Sequence, residues 1–299
     1  MPIALFLLLS LCVSFGSASF AAADTLSVVT TTSDLAALTK AVGGDRVKAE
    51  SIAKGSQDPH YVEAKPSFMR LVNQARLLFY VGLQLEIGWL PLLIQGARNP
   101  GLVQVDLSQG ISVLERPTGP ISRAQGDVHP EGNPHYWLDS RNGLIMARRI
   151  VQELKALAPT DAAYFEQNLK LFESDLNRRR KSWEERMALF RGTEVVAYHK
   201  QWEYLAHWLG LTIVDYVEDK PGIPPGPQHL ANLVRGMQQR KIKALLVANF
   251  TNPAIPRSVA DKGAAKMVVL PASVGGEKGI DSYGVLFDAI VERLVDVLR

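Results

Sequence analysis

Short runs of β-branched and apolar residues alternate along most of the chain with longer segments of helical periodicity. In the first part of the chain, the predicted strands are 26–30, 47–53, 76–81 and 102–105, and the predicted helices are 33–42, 66–75 and 84–95. The alternation returns later, with strands at 194–198, 211–216, 244–250 and 267–270 and helices at 201–209, 230–240 and 282–299. Such alternation is typical of βα units that build a parallel sheet. The pattern therefore predicts two α/β lobes.

The middle of the chain has a different pattern. Residues 142–157 and 160–191 are helical by periodicity, and Pro159 separates them. The second segment would span roughly 45 Å at about 1.5 Å per residue, which is long for a globular helix and suits a connection between lobes. Further on, the proline- and glycine-rich residues 221–227 predict an irregular loop. We expect an α/β fold of two lobes, each a mainly parallel sheet flanked by helices, bridged by one long helix.

The amino terminus predicts export. Residues 1–23 contain no Asp, Glu, Lys or Arg, and they end in three alanines that fit a cleavage site. Cys12 follows the bulky Leu11, whereas a lipoprotein signal has a small residue there, so lipidation is not expected. We predict a cleaved signal peptide and a periplasmic product. The predicted divisions are a signal peptide at 1–23, an N-terminal lobe at 24–159, a linker helix at 160–191 and a C-terminal lobe at 192–299.

The composition argues against several classes of protein. The 299 residues carry 33 Lys and Arg against 30 Asp and Glu, and a net charge of +3 is too small to indicate nucleic-acid binding. The single cysteine lies within the predicted signal peptide. A disulfide framework, a cysteine-based zinc finger and a cysteine nucleophile are therefore not expected in the exported product.

Three histidines lie where α/β proteins bind ligands. His60 and His135 have closely similar settings, in Asp58-Pro59-His60-Tyr61 and Asn133-Pro134-His135-Tyr136, and the proline stiffens each loop. His199 comes directly after the predicted strand 194–198. Because ligands bind beyond the carboxyl ends of strands in open α/β sheets, we expect these histidines to converge between the lobes.

A fourth donor is expected from the second lobe. Asp281 follows a glycine-rich loop at the start of the last predicted helix, where it could instead be the N-cap, and Glu277 is a nearby alternative donor. Three imidazoles and one carboxylate suit tetrahedral Zn²⁺ better than octahedral Mn²⁺. We expect His207 to pack within the fold or lie on its surface, and His229 to face solvent.

These motifs resemble one family over essentially the whole exported chain. It is the metal-binding receptors of bacterial ABC importers for zinc and manganese, the cluster A-I solute-binding proteins of the zinc-uptake type. The residues that carry the resemblance are Val29 to Leu35, Asp58-Pro59-His60 with Glu63 and Pro66-Ser67, Tyr80-Val81-Gly82, Asn133 to Asp139, Tyr198-His199, Pro221 to Pro225 and Gly279 to Tyr283.

The resemblance implies a fold, a site and a function. It implies two lobes joined by one long helix, with an ion held between them by His60, His135, His199 and Asp281. Manganese-selective members often carry Glu at the third position, so His199 favours Zn²⁺. The implied function is a monomeric periplasmic receptor that delivers the ion to an ABC permease and its ATPase. The alternatives are a manganese or iron receptor of the same class and a zinc-dependent hydrolase with Asp281 as general base.

The sequence departs from the family in one interval. Many zinc-binding members carry a long loop rich in histidine and acidic residues between the first two ligands. Here residues 116–132 contain Asp127, His129 and Glu131 as their candidate donors. An accessory metal-collecting role for this interval is therefore not expected.

Overall fold

The computed structural model describes residues 25–119 and 125–299. The predicted signal peptide, 1–23, lies outside the described residues, as does part of the interval 116–132. No helix in the described ranges is both long enough and apolar enough to cross a membrane.

The N-terminal lobe is built on a four-stranded sheet in which every strand pair is parallel. Its order is β2-β1-β3-β4. The strands are β1 (Leu26–Thr30), β2 (Val47–Ser51), β3 (Leu77–Tyr80) and β4 (Val103–Asp106), and the helices between them are α1 (Ser33–Gly43), α2 (Pro66–Gln74) and α3 (Leu90–Ala97). β1 is the strand at which the order reverses, so a crevice opens beside its carboxyl end.

The C-terminal lobe repeats this plan. Its sheet is also parallel throughout, in the order β6-β5-β7-β8. The strands are β5 (Glu194–Ala197), β6 (Thr212–Tyr216), β7 (Ala244–Ala248) and β8 (Lys266–Leu270), and the helices are α6 (Glu203–Leu209), α7 (Pro227–Arg240), α8 (Ala254–Lys262) and α9 (Tyr283–Leu298). The order reverses at β5, the strand that His199 follows. Because both sheets are parallel throughout, the prediction of two parallel sheets is confirmed.

One long helix connects the lobes. α4 (Ser140–Leu157) leads through a short 3₁₀ turn into α5 (Ala162–Met187), whose 26 residues span roughly 39 Å. α5 packs against α1 and α4 of the N-terminal lobe and against α9 of the C-terminal lobe. One continuous buried core runs through both lobes, and a smaller apolar cluster lies under the outer helices of each sheet. The predicted bridging helix is therefore confirmed, and it is part of the core.

Three elements differ from the sequence prediction. The predicted helix 84–95 begins only at Leu90, because the buried Glu86 carboxylate accepts hydrogen bonds from the backbone N–H groups of Val81 and Gly82 and holds a turn there. α8 was not predicted. Pro227, assigned to the irregular loop, is instead the first residue of α7, where a missing backbone N–H costs nothing.

The lobes meet through buried polar contacts next to β1. Asp34, which is fully buried, accepts a hydrogen bond from the backbone N–H of Val274 at 2.9 Å. Its other carboxylate oxygen has no hydrogen-bond partner among the described residues. A Cβ on Gly55 would lie 2.1 Å from the Val274 carbonyl oxygen, so the two backbones are too close for any side chain there. Burial raises the pKa of Asp34 to about 7.

The raised pKa of Asp34 predicts a pH dependence of folding stability. Between pH ~4 and ~7 the folded protein keeps a proton on Asp34 that the unfolded chain has released, so the free energy of unfolding falls as the pH rises. Asp34→Asn keeps the oxygen that accepts from Val274 and removes the titration. In chemical denaturation of metal-free protein, the stability of this variant relative to the parent should therefore increase from pH 5 to pH 8. Asp296→Asn, at an exposed position, is the control. A pH-independent difference for Asp34→Asn would contradict the assignment.

Candidate metal site

Three of the four predicted ligands lie together between the lobes. His60 follows β2, His135 precedes the 3₁₀ turn Tyr136–Leu138, and His199 follows β5. One potential ligand atom from each histidine lies within 4.8 Å of those of the other two. The ring centroids form a nearly equilateral triangle, with separations of 5.1, 5.7 and 5.7 Å. This arrangement could hold a single metal ion.

Each of the three imidazoles is fixed through its Nδ1 atom. The Nδ1 of His60 lies 2.7 Å from Asp58 Oδ1, and the Nδ1 of His135 lies 2.9 Å from Asn133 Oδ1. In both cases the same oxygen also accepts the backbone N–H of the histidine, at 3.0 Å. These acceptors require a proton on Nδ1 in the neutral ring, which leaves the lone pair of Nε2 free for a metal ion.

The Nδ1 atom of His199 is also held by an acceptor, but this acceptor lies further along the chain. Its Nδ1 lies 2.8 Å from Glu218 Oε2, two residues beyond the end of β6. The same carboxylate oxygen accepts the backbone N–H of Gly222 at 3.0 Å. β5 and β6 are neighbouring parallel strands, so their carboxyl ends bring His199 and Glu218 together. In all three rings, Nδ1 is therefore bound to an acceptor and Nε2 is left to face a metal ion.

The orienting residue of His135 also ties the lobes together. The Nδ2 of Asn133 donates to the carbonyl oxygen of Lys200 at 3.1 Å and to Glu203 Oε2 at 3.1 Å, both in the C-terminal lobe. Tyr204 returns a hydrogen bond from its hydroxyl to the carbonyl oxygen of Asn133 at 2.9 Å. The positions of His135 and His199 are therefore linked through a direct bond between the lobes.

The surroundings of the cluster set its protonation. Burial, together with the neighbouring histidines, holds the pKa of His135 well below its ordinary value, so this ring is neutral near pH 7. Burial opposes the charged form of His199, but its hydrogen bond to Glu218 and the charge of that carboxylate outweigh burial and raise the pKa of His199. Burial works against ionisation of Asp58, yet its contacts with His60 lower the pKa of this carboxyl. The site therefore combines a neutral His135 ring with the carboxylates of Asp58 and Glu218, whose negative charge would offset that of a cation.

The fourth predicted ligand is not part of this cluster. Asp281 is exposed, and it precedes Ser282, whose hydroxyl accepts from the N–H of Val285 and caps α9. Glu277, the alternative donor, forms a two-point ion pair with Arg293 at 2.5 and 2.8 Å. Ligation by Asp281 stays a prediction.

The structure brings to the site a histidine to which no direct role was assigned from the sequence. His129, from the interval 116–132, has its Nε2 atom 3.3 Å from the Nε2 of His60. Burial, and to a smaller extent the neighbouring His60, lower the pKa of His129 to about 4. Nothing in the sequence around His129 distinguishes it from a loop residue, so its position emerges only from the fold.

The remaining histidines lie away from the cluster. His207 is exposed on α6, as one of the predicted alternatives has it. His229 was expected to face solvent, but it is half-buried, and its Nε2 lies 2.8 Å from the carbonyl oxygen of Tyr216. That bond fixes the first turn of α7 to the end of β6.

Comparison with known proteins identifies the family. The family described as the periplasmic component A of the zinc-uptake complex matches residues 28–297. The chain belongs to this family. It is a substrate-binding receptor of a metal ABC importer, and the prediction that it is not an enzyme is confirmed.

Individual relatives agree on the class of protein and differ in the metal that they name. The manganese ABC transporter substrate-binding lipoprotein PsaA of Streptococcus pneumoniae is 27% identical over 296 residues, covering 96% of this chain and 93% of its own. The metal ABC transporter substrate-binding lipoprotein FimA of Streptococcus parasanguinis is 28% identical, covering 94% and 93%. A crystal structure of ZnuA superposes with a TM-score of 0.80 at 21% identity, over 92% of this chain and 100% of that one, which confirms the fold.

The contact between His199 and Glu218 yields a test of how the imidazole is held. Glu218→Ala should weaken metal binding by roughly 10- to 100-fold, because it removes the acceptor that fixes the proton on Nδ1. Glu218→Gln, which retains an acceptor oxygen, should lose less. Titration calorimetry with Zn²⁺ measures both, and Asp296→Ala, at an exposed site on α9, is the control. Equal affinities for the parent protein and Glu218→Ala would show that this contact does not support the ligand.

Proposed function

We propose that this receptor captures Zn²⁺ with high affinity through His60, His135 and His199 and delivers it to a membrane permease driven by an ATPase. The observation that carries the proposal is the shared state of the three rings, each with Nδ1 bound to an acceptor and Nε2 left for the ion. Imidazole nitrogen suits zinc, whereas Mn²⁺ favours six oxygen-rich positions. The predicted oxygen ligand from the second lobe is Asp281.

The manganese alternative is supported by the relatives. PsaA of Streptococcus pneumoniae is named for manganese, and it matches this chain over nearly its full length. A mixed donor set with one or more oxygens would accommodate Mn²⁺ as well as Zn²⁺. The choice between the two ions therefore depends on the fourth and any further ligands.

We propose that the receptor is located in the periplasm. The family description names that compartment, and the charge-free, apolar residues 1–23 are those of a signal peptide. Both relatives described above are named as lipoproteins. We propose cleavage near the three alanines at 21–23 without lipidation, because Leu11 is too large for the position before a lipidated cysteine.

The ion that the receptor binds can be identified in protein isolated from cells. Receptor isolated from periplasm without added metal should contain about one zinc ion per chain and little manganese, as measured by elemental analysis. Zinc binds most nitrogen and oxygen sites more tightly than manganese, so affinity alone does not decide the question. Manganese as the principal bound metal would contradict the zinc assignment and support the alternative.

The ligand assignment has its own test. Loss of a residue that supports a ligand typically weakens metal binding by about 10- to 100-fold. His199→Ala removes a proposed donor itself, so its Zn²⁺ affinity should fall by at least that much. His207→Ala, exposed on the adjacent helix α6, should bind as the parent does. Titration calorimetry measures both variants, and circular dichroism of the metal-free proteins checks that the fold is intact. Unchanged affinity in His199→Ala would remove His199 from the ligand set.

A further inference from the structure

Asp58 and Asn133 hold their histidines in the same way, yet one is a carboxylate and the other an amide. Each accepts hydrogen bonds from the backbone N–H and the Nδ1 atom of the histidine two residues further on. A carboxylate can accept through either oxygen, whereas an amide must turn its oxygen, and not its nitrogen, toward the ring. The tautomer of His135 therefore depends on the orientation of the Asn133 amide.

The nitrogen of this amide lies among acceptors. Asn133 Nδ2 is 3.0 Å from Glu115 Oε2, 3.1 Å from Glu203 Oε2 and 3.1 Å from the carbonyl oxygen of Lys200. An amide turned the other way would place its oxygen against these three oxygens and would lose both bonds to His135. The contacts on its two sides thus favour the same orientation.

Glu203 is the buried carboxylate among these acceptors. It is the first residue of α6, and its Oε1 atom accepts from the hydroxyl of Tyr216 at 2.7 Å, which leaves Oε2 for Asn133. The side chain of Glu115 is 32% exposed and is paired with Lys200 at 2.8 Å. Water can replace an exposed acceptor, whereas loss of a buried one leaves its donor short of a partner.

The carboxyl end of β6 supports two of the three histidines through this contact. Tyr216 is the last residue of β6 and bonds Glu203, and Glu218, two residues further on, holds His199. His199 is thus supported directly, and His135 is supported through Glu203 and Asn133.

We propose that Glu203 is a positioning residue for metal binding: by accepting from Asn133 Nδ2, it fixes the orientation of that amide and so keeps the proton of His135 on Nδ1. The inference rests on the proposed function, since it assumes that His135 binds the ion. A carboxylate of the C-terminal lobe then sets which nitrogen a ligand of the N-terminal lobe presents.

The tautomer of His135 tests this role before any metal is bound. Burial and, to a smaller extent, the neighbouring Glu115 raise the pKa of Glu203 to about 7, so the measurement is made at pH 8, where its carboxylate is mostly ionised. Long-range ¹H–¹⁵N spectra of metal-free protein labelled with ¹⁵N-histidine distinguish protonation on Nδ1 from protonation on Nε2. His135 should carry its proton on Nδ1 in the parent and should populate the other tautomer in Glu203→Met, which has no acceptor. An unchanged tautomer in Glu203→Met would overturn the inference.

Zn²⁺ affinity at the same pH provides the second measurement, by titration calorimetry. Glu203→Met should bind up to about tenfold more weakly, the lower end of the range for residues that support a ligand, because chains with the wrong tautomer must rearrange before they bind. Glu203→Gln, which keeps an acceptor oxygen, should lose less, and Glu292→Met, the same substitution at an exposed site on α9, should lose nothing. Equal losses in Glu203→Gln and Glu203→Met would overturn the inference in favour of a simple effect of charge. Both of these results leave the proposed function standing, whereas a parent protein that binds no Zn²⁺ would refute that function.

The variant Asn133→Asp should reverse the effect of Glu203→Met. A carboxylate at position 133 needs no particular orientation, and Glu203 would repel it instead of accepting from it. Adding Glu203→Met to Asn133→Asp should therefore raise Zn²⁺ affinity, although the same substitution lowers it in the parent. Such a cycle isolates the coupling between the two residues, and circular dichroism of the metal-free variants checks their folds. Equal effects of Glu203→Met in both backgrounds would show that Glu203 does not act through Asn133.

Discussion

The site depends on hydrogen bonds made by the Nδ1 atom of each imidazole, the nitrogen that does not face the other histidines. Asp58, Asn133 and Glu218 hold the three Nδ1 atoms, and each bond fixes both the orientation of the ring and the nitrogen that carries its proton. A neutral imidazole free to rotate would have to lose that freedom and select a tautomer when the ion arrives. Here both costs are met during folding, so a metal ion held by these rings would not have to offset them.

The connection between the lobes determines how far this arrangement can move. A single buried core extends through both sheets, and α5 is packed along its length against helices of both lobes. Asn133 adds a direct bond from the His135 loop to the residue after His199. A large hinge opening would expose part of this core and break those bonds. The geometry therefore favours small shifts of the loops at the crevice over a wide hinge.

Much of this organisation could be predicted from the sequence, for identifiable reasons. The strands are short apolar runs, and His60, His135 and His199 could be placed together because the carboxyl ends of parallel strands share an edge of the crevice. The orienting oxygens of Asp58 and Asn133 were not predicted, although each lies only two residues before its histidine. Glu218 and His129 could not be found in this way, because their contacts depend on strand neighbours and on the path of a loop. The late start of α3 was missed because the buried Glu86 overrides a helical pattern.

The three ring anchors differ in how much of the protein they require. In the N-terminal lobe, a bond spanning two residues holds each ring, so the tripeptides Asp58-Pro59-His60 and Asn133-Pro134-His135 carry their own alignment. His199 relies on a carboxylate 19 residues further on, across a strand pair whose register shifts between Val195 and Val196. Sequence changes in the second sheet would therefore disturb His199 most directly, and His135 only through the bonds that Asn133 makes to Lys200 and Glu203. Tolerance to change is therefore unequal among the three histidines, and His199, which follows β5, depends on the most distant partner.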